Sequence, residues 1–376
     1  MPLTLLDTTD DHALPVRVLL LDETPLARWT PVHAYGYNRV RFHPDAEYVL
    51  SRFAYLRREH DLYVLEVAKG AVRIDFLDRQ ALVLFAQLIA GVDVDVTFME
   101  FLVTAGMMDT VEALAPASAD DLAFHDALFQ WKTRMGGNGL LPVRQPFLPA
   151  HVPPAIKPPM STTLIPLFTP DIDALQQSDL PFTRVLEARR TRYDYGEPLT
   201  LAQLGEFLYR SARIQQELQG AVYTGTLRPS PGAGALHALE LYIVAVNCAG
   251  LSPDVYHYDP AGHVLESLHV AVSFEPLVEN ALRMTGGRVE TPQALIIIAA
   301  RFDRICWKYP EMALSLILKD VGALYQTMYL VATAMGLAPC ALGGGDSRLF
   351  SRIVELEAAQ EQSVGEFLLG NAIRTS

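Results

Sequence analysis

Cysteine is scarce in this chain: Cys248, Cys306 and Cys340 stand far apart among 376 residues. An odd number of widely spaced thiols builds neither a disulfide framework nor a zinc site. No metal is therefore expected, and a reducing cytoplasm is the expected compartment. Positive charge is also short. Lys and Arg number 30 against 43 Asp and Glu, for a formal net charge of −13, and no long basic run appears. This argues against a nucleic-acid partner, because neutralising phosphates needs clustered cations. Charged residues make up 19% and hydrophobic ones 50% of the chain, which excludes disorder and fits a folded chain with a sizeable core. No basic region precedes the apolar start, and Asp7, Asp10 and Asp11 follow at once, so no signal peptide is expected. The run long enough to cross a bilayer, Glu311–Gly336, carries Lys319 and Asp320 in its middle. Charges there are expensive in lipid, so no membrane partner is expected.

What is present is organised around residues 294–346. The run A-L-I-I-I-A-A (Ala294–Ala300) is too short for an ordinary helix and rich in isoleucine, which predicts a strand buried on both faces. From Glu311 to Gly336 the chain is apolar almost all the way round. That predicts a helix buried on every side, of about 35–40 Å at 1.5 Å per residue, with another subunit or domain against it. Pro339 and Gly343-Gly344-Gly345-Asp346 are expected to stop it.

The N-terminal 1–55 carry one clear signal, a strand at Val16–Leu21. Over 56–118, Leu62–Ala68 and Val72–Phe76 read as strands joined through Lys69-Gly70. Asp78 is a suitable N-cap for a helix over Arg79–Ala90 closed by Gly91, and a second helix spans about Asp95–Ala105. Strand, strand, helix, helix predicts a small winged-helix-like domain. Its recognition helix would be T-F-M-E-F-L-V-T-A, without base-reading side chains, so peptide capture on a strand edge is the expected use. Residues 119–180 read as an inter-domain segment. Nine prolines between Pro142 and Pro170 enforce an extended path there.

Residues 181–376 form the second predicted domain. Arg189, Arg190, Thr191 and Arg192 sit at the expected end of a helix, a donor set that suits a phosphate and, taken alone, also fits a solvated charged face. Thr200 and Gln203 form a capping box. The loop over Arg228–Val246 is made of small residues, which let backbone approach a flat ligand, and it leads through a helical turn into a strand. Val255–Glu266 reads as a hairpin.

Taken together, these segments resemble the SagB-type dehydrogenases, the thiazole- and oxazole-forming peptide oxidases of the FMN-dependent nitroreductase superfamily. The resemblance covers roughly residues 60–376. It is carried by R-R-T-R-Y-D-Y (Arg189–Tyr195), R-P-S-P-G-A-G-A-L-H-A-L-E-L-Y (Arg228–Tyr242) and the V-Y-H-Y-D-P hairpin. W-K-Y-P (Trp307–Pro310), D-V-G-A-L-Y-Q (Asp320–Gln326), G-L-A-P-C-A-L-G-G-G-D (Gly336–Asp346) and S-V-G-E-F-L-L-G (Ser363–Gly370) continue it in order. Phe124–Gly136 resembles the family's inter-domain signature.

The resemblance implies an α+β fold with a mixed sheet and a long central buried helix, a homodimer, and FMN at the subunit interface. It implies that Arg189, Arg190 and Thr191 hold the FMN phosphate. Gly232, Ala233, Gly234, Ala235, Leu236 and His237 would lie along the ring system, with Gln326, Gly343, Gly344, Gly345 and Asp346 completing the pocket. Lys308 and Tyr309 match the family's catalytic pair. Dehydrogenating an azoline removes a proton and a hydride from adjacent carbons, and a tyrosine or lysine can take the proton. The implied substrate is a ribosomally synthesised peptide, with a cyclodehydratase as partner. Tyr193, Gly232 and Asn371 depart from the family pattern, and each would remove a donor to FMN. A generic NAD(P)H-dependent flavin reductase and a flavin-free peptide-binding scaffold are the alternative functions.

Overall fold

The computed structural model describes residues 2–9, 15–31, 41–68, 70, 72–113, 122–134 and 152–373. The chain divides into two units, Met1–Arg144 and Gln145–Ser376.

In the first unit, strands β1 (Leu3–Thr9), β2 (Pro15–Leu21) and β3 (Thr24–Pro31) are followed by a short β4 (Tyr48–Leu50). Next come β5 (Ala54–Glu59), β6 (Leu62–Val67), β7 (Val72–Phe76), helices α1 (Arg79–Ile89) and α2 (Val96–Thr104), β8 (Met108–Thr110) and α3 (Phe124–Arg134). Asp78 caps α1 by accepting from the Gln80 amide at 2.8 Å, and Asp95 does the same for α2 from Thr97 at 2.7 Å. These satisfy amides that have no partner within the helix.

The sheet runs β1-β2-β3-β7-β6-β5 and every pairing in it is antiparallel. The winged-helix-like reading of 56–118 therefore covers only part of this unit. Strands β1, β2 and β3 complete the same sheet, and Leu19, Leu26 and Trp29 are buried in one core with Ile74, Phe98 and Phe101. The β2–β3 hairpin escapes sequence reading for a local reason. Its two-residue turn is Asp22-Glu23, both at positive φ (47° and 68°), where Asn-Gly or Asp-Gly is the usual signal. Lys69, placed in the β6–β7 turn by sequence, lies outside the described residues.

The second unit begins with β9 (Leu164–Pro166), α4 (Ile172–Ser178), α5 (Phe182–Ala188), β10 (Leu199–Thr200) and α6 (Leu201–Ala212). It continues with β11 (Gln216–Gln219), β12 (Thr224–Leu227), β13 (Leu239–Ala245), β14 (Cys248–Ala249), β15 (Asp254–Asp259), β16 (Val264–Ser267) and α7 (Glu275–Met284). The chain then forms β17 (Ala294–Arg301), α8 (Phe302–Cys306), α9 (Ala313–Ala334), β18 (Leu337–Leu342), α10 (Ser347–Val354) and β19 (Glu361–Asn371). The expected capping box at the start of α6 is present, with Thr200 and Gln203 bonding reciprocally.

The fold is α+β, built on a seven-stranded sheet ordered β18-β19-β17-β13-β15-β16-β9. Strand β17 is buried along its whole length, as its isoleucine run predicts. One face packs under α6 and α9, where Phe207, Ile317, Leu324 and Met328 meet Ile296, Ile298 and Phe367. The other packs under α7 and α10, where Leu277 and Phe350 meet Val244, Ile297 and Leu368.

Three expectations are corrected. Every pairing in the large sheet is antiparallel, and the parallel pairing found is the two-residue match of β10 with β14. Helix α9 returns the chain so that β17 and β18 run the same way, but β19 lies between them and opposes both. Helix α9 itself is not buried on every side of the single chain. Ile317, Val321, Leu324 and Met328 face the core, whereas Leu314, Leu318, Gly322 and Gln326 form an exposed stripe at four-residue spacing. Finally, α9 ends at Ala334 and is closed two residues on by Gly336, whose φ of +69° favours glycine. Pro339 instead sits in the edge strand β18, where a missing amide is tolerated. No helix among the described residues is long and apolar enough to cross a membrane.

The expected inter-domain segment 119–180 is shared between the units. Helix α3 belongs to the first, where Lys132 bonds Glu66 at 2.7 Å. Residues from 152 onward lie extended on the second, where the Lys157 ammonium meets Glu361 at 2.5 Å and the Tyr242 hydroxyl at 2.6 Å.

Beside that contact lies a buried charge cluster. His257 reaches Glu266 at 2.8 Å and Glu240 at 3.2 Å, and Glu240 also meets Arg301 at 3.4 Å. Burial opposes a charged imidazole, but the hydrogen bonds to the two carboxylates outweigh it and raise His257 above its usual value. Burial likewise opposes the Glu240 carboxylate, yet His257, Arg228 and Arg301 hold it at about 2. A raised histidine stabilises the fold below its unfolded value and loses that contribution as pH rises through the folded one. A depressed carboxylate stabilises above its unfolded value and fails as pH falls toward 2. The cluster's contribution is therefore complete between about pH 4.5 and 6.5. His257→Gln is expected to cost on the order of 3 kcal/mol there. Thermal unfolding of parent and variant against pH should show the difference shrinking on the alkaline side.

Candidate active site

Helix α9 carries the framework. Asp320, on its N-terminal half, accepts from the Ala233 amide at 3.0 and 3.2 Å through its two carboxylate oxygens. Burial raises this carboxyl above its usual range. The bond anchors a 3-10 turn, Ala233–Ala235, in which Gly234 and Ala235 have φ of 58° and 57° and His237 follows at 45°. Left-handed backbone at three of four positions, two of them not glycine, marks a loop held in shape by its surroundings. His237 is pushed down to about 4, by burial first and then by Arg228 and Arg304, so its imidazole is neutral near pH 7.

Against this turn stand Lys308 and Tyr309. A Cβ built on Gly234 would lie 2.8 Å from the Tyr309 hydroxyl and 2.9 Å from Lys308 Nζ. Only glycine lets the backbone come this close. Tyr223, just ahead of β12, completes the group. Its hydroxyl accepts from Lys308 Nζ at 2.5 Å and donates to the Gly234 carbonyl at 2.9 Å. Lys308 Nζ also lies 4.3 Å from the Tyr223 ring centroid and 5.3 Å from that of Tyr309. Beneath them Arg304, on α8, is 1% exposed. Its guanidinium donates to the carbonyls of Leu236 (3.1 Å), Pro153 (2.7 Å) and Thr224. One side chain thus ties the loop, the Tyr223 strand and the extended lead-in segment to the helix that presents Lys308.

A second group gathers on the C-terminal half of α9. Arg189 is the C-cap of α5, and its guanidinium lies 5.3 Å from the Tyr329 ring centroid. Thr191 shares a 2.9 Å hydrogen bond with the Tyr329 hydroxyl, which also accepts from the Ala341 amide at 2.9 Å. Arg190 is exposed and spends one nitrogen on the Glu187 and Arg189 carbonyls, leaving other N–H donors free for an anion. Strand β18 leads from Ala341 into Gly343–Asp346, where Asp346 caps α10 through the Leu349 amide at 2.9 Å. A Cβ on Gly343 would meet nothing within 4 Å, whereas one on Gly345 would collide with the Glu366 carboxylate, whose value burial raises. Guanidinium and hydroxyl donors suit a phosphate, and the two glycine loops offer backbone a flat ring could approach. By this test the residues fit a flavin nucleotide.

The structure brings Lys308 and Tyr309 together with Gly234, and Arg189 and Thr191 together with the strand leading into Gly343. It does not merge the two groups within one chain. Asp320 and Tyr329 stand nine residues apart on α9, about 13 Å along its axis. Gln326 joins neither group and sits on the open stripe. Of the departures, Tyr193 lies beneath Arg288, whose guanidinium is 4.9 Å from its ring centroid and bonds its hydroxyl at 3.0 Å. Asn371 bonds Gln293 through its amide at 2.7 Å. At Gly232 a Cβ would fall 2.7 Å from His237 Nδ1. Sequence reasoning missed Tyr223, Arg304, Asp320 and Tyr329. Asp320 left a signal there as the first residue of the D-V-G-A-L-Y-Q motif, and Arg304 another, four residues before Lys308.

Comparison with known proteins agrees with this architecture. Residues 186–371 match the nitroreductase family, and the second unit is a nitroreductase-family domain, of oxidoreductase type. The nitroreductase-type protein MJ1384 of Methanocaldococcus jannaschii is 28% identical over 176 residues, 46% of this chain and 81% of that one. The microcin B17-processing protein McbC of Escherichia coli is 27% identical over 116 residues, 29% of this chain and 42% of McbC. The match thus spans less than half of McbC. Among solved structures, a nitroreductase of Ralstonia eutropha aligns at 21% identity over 60% of this chain and 97% of that one, with a TM-score of 0.44. The resemblance to SagB-type members of the superfamily is borne out.

Proposed function

We propose that the chain is an FMN-dependent dehydrogenase that oxidises thiazoline or oxazoline rings of a ribosomally synthesised peptide to thiazoles or oxazoles. The observation that carries this reading is the Lys308–Tyr309 pair held against the left-handed turn at Gly234. The likeness to a peptide-processing protein supports it. Bound FMN supplies the hydride acceptor. Arg189, Arg190 and Thr191 would hold its phosphate, Gly232–His237 and Gly343–Asp346 would line its pocket, and the Lys308 amine would take the substrate proton with the Tyr309 hydroxyl beside it. Incubating the protein with an azoline-containing peptide and oxygen should lower the peptide mass by two hydrogens per ring. An unchanged mass with flavin bound would refute the reading.

The partners proposed are the peptide, a cyclodehydratase that makes the azoline, and a second copy of this chain. The open stripe on α9 favours the last. Two half-sites about 13 Å apart along one helix are completed if a second copy brings its own opposite half. Gln326 would then reach the pocket across the interface, and cytoplasm is the proposed compartment. Leu318, 44% exposed, tests this without entering the monomer core. Leu318→Asp is expected to weaken dimerisation and FMN retention together, by at least tenfold, because each stabilises the other by mass action. Light scattering and flavin absorbance read both. A folded monomer that keeps FMN as tightly as the parent would overturn the linkage.

The more extensive match to the MJ1384 protein favours a second reading, a general NAD(P)H-dependent flavin reductase of nitro or quinone compounds. Stopped-flow mixing separates the two. Rapid bleaching by NAD(P)H selects the reductase, and slow bleaching the peptide oxidase.

A further inference from the structure

We infer that Tyr223 is a positioning residue for Lys308, fixing the amine nitrogen Nζ where a substrate proton must be received. The inference rests on the dehydrogenase reading for what Lys308 does, but on geometry alone for what Tyr223 does. A tyrosine hydroxyl carries one proton. Here that proton is committed to the Gly234 carbonyl at 2.9 Å. Toward Lys308 the oxygen can therefore only accept, and it accepts one N–H at 2.5 Å. Lysine ends in a flexible four-carbon stem with freely rotating donors. One fixed N–H pins Nζ and leaves its lone pair, when the amine is neutral, pointing elsewhere.

The ring contributes separately from the hydroxyl. Trp307 meets it edge-on at 5.6 Å between centroids, and the Trp307 indole donates to the Arg304 carbonyl at 3.1 Å. This fixes the plane over which Nζ sits at 4.3 Å. Gly234 closes the arrangement, because the carbonyl that orients Tyr223 belongs to the residue whose missing Cβ makes room for Lys308 and Tyr309.

Tyr223→Phe removes the hydroxyl and keeps the ring, so it separates the two contributions. In the first arm, the protein is treated with acetic anhydride and acetylation of each lysine is followed by mass spectrometry. Lys308 should be modified several-fold faster in Tyr223→Phe than in the parent, with the other lysines unchanged. Equal labelling would overturn the inference. In the second arm, kcat for azoline oxidation should fall roughly ten- to a hundredfold, with KM, flavin content and thermal stability unchanged. The same substitution in a Lys308→Ala background should then cost nothing further. Additive losses would mean that Tyr223 acts through the general fold, and would also overturn the inference. Absence of turnover by the parent refutes the dehydrogenase reading, which the labelling arm does not depend on.

Discussion

A Lys308→Ala/Tyr309→Phe double variant should lose on the order of 10²–10⁴-fold in the rate at which a peptide azoline sheds two hydrogens, the contribution typical of a positioned acid–base group. Both side chains reach the same point of the fold, within 3 Å of where a Gly234 Cβ would stand. The single variants should not add, because either group lies close enough to substitute in part for the other. Flavin binding should survive, since the groups assigned to the phosphate sit on the other half of α9. A double variant with full activity removes the pair from the mechanism. Loss of flavin together with activity would instead mean that the pair shapes the pocket.

Arg304→Met should produce the largest loss of stability among single substitutions around the site. The side chain is 1% exposed, and burial, then the charges of Arg301 and Arg228, lower its value to about 10. It is a buried cation beside other cations, and its guanidinium donates to three carbonyls on three separate segments. Methionine fills similar space but leaves those carbonyls unsatisfied, at about 1–3 kcal/mol each when buried. Some will find water, so a net loss of roughly 3–5 kcal/mol is expected. At about 2–4 °C per kcal/mol for a unit of this size, that lowers Tm by about 6–20 °C. Arg304→Lys should not rescue it, because an ammonium lacks the planar fork that reaches three directions at once. A calorimetric Tm within 2 °C or so of the parent would show that the carbonyls find other partners at no cost.

Local rules made much of the second unit legible. The buried strand β17 follows from an isoleucine run, and the capping box of α6 from Thr200 and Gln203. The β15–β16 hairpin follows from its turn residues, and the end of α5 coincides with the polar cluster at Arg189–Arg192. Each of these depends on residues within a few positions of one another. The residues of the candidate site that carry a resemblance were legible for a different reason, since motifs in a fixed order can be matched one by one.

The remainder depended on distance in space. Sequence alone located the buried strand β17 and helices α1, α2, α6 and α9, a glycine-containing loop before β13, and a Lys-Tyr pair after β17. Only the tertiary structure decided that β19 inserts between β17 and β18 and makes the sheet antiparallel, since strand order is set by long-range pairing. It also decided that one stripe of α9 stays open, because apolar composition cannot say which side of a helix has a neighbour within its own chain. The same holds for Tyr223, 85 residues from Lys308, and for Asp320, 87 from Ala233. Asp320 reads in sequence as a charge that forbids a membrane span and as the first residue of the D-V-G-A-L-Y-Q motif, with no role of its own. In the fold its burial beside one free amide makes it the post on which the loop is hung.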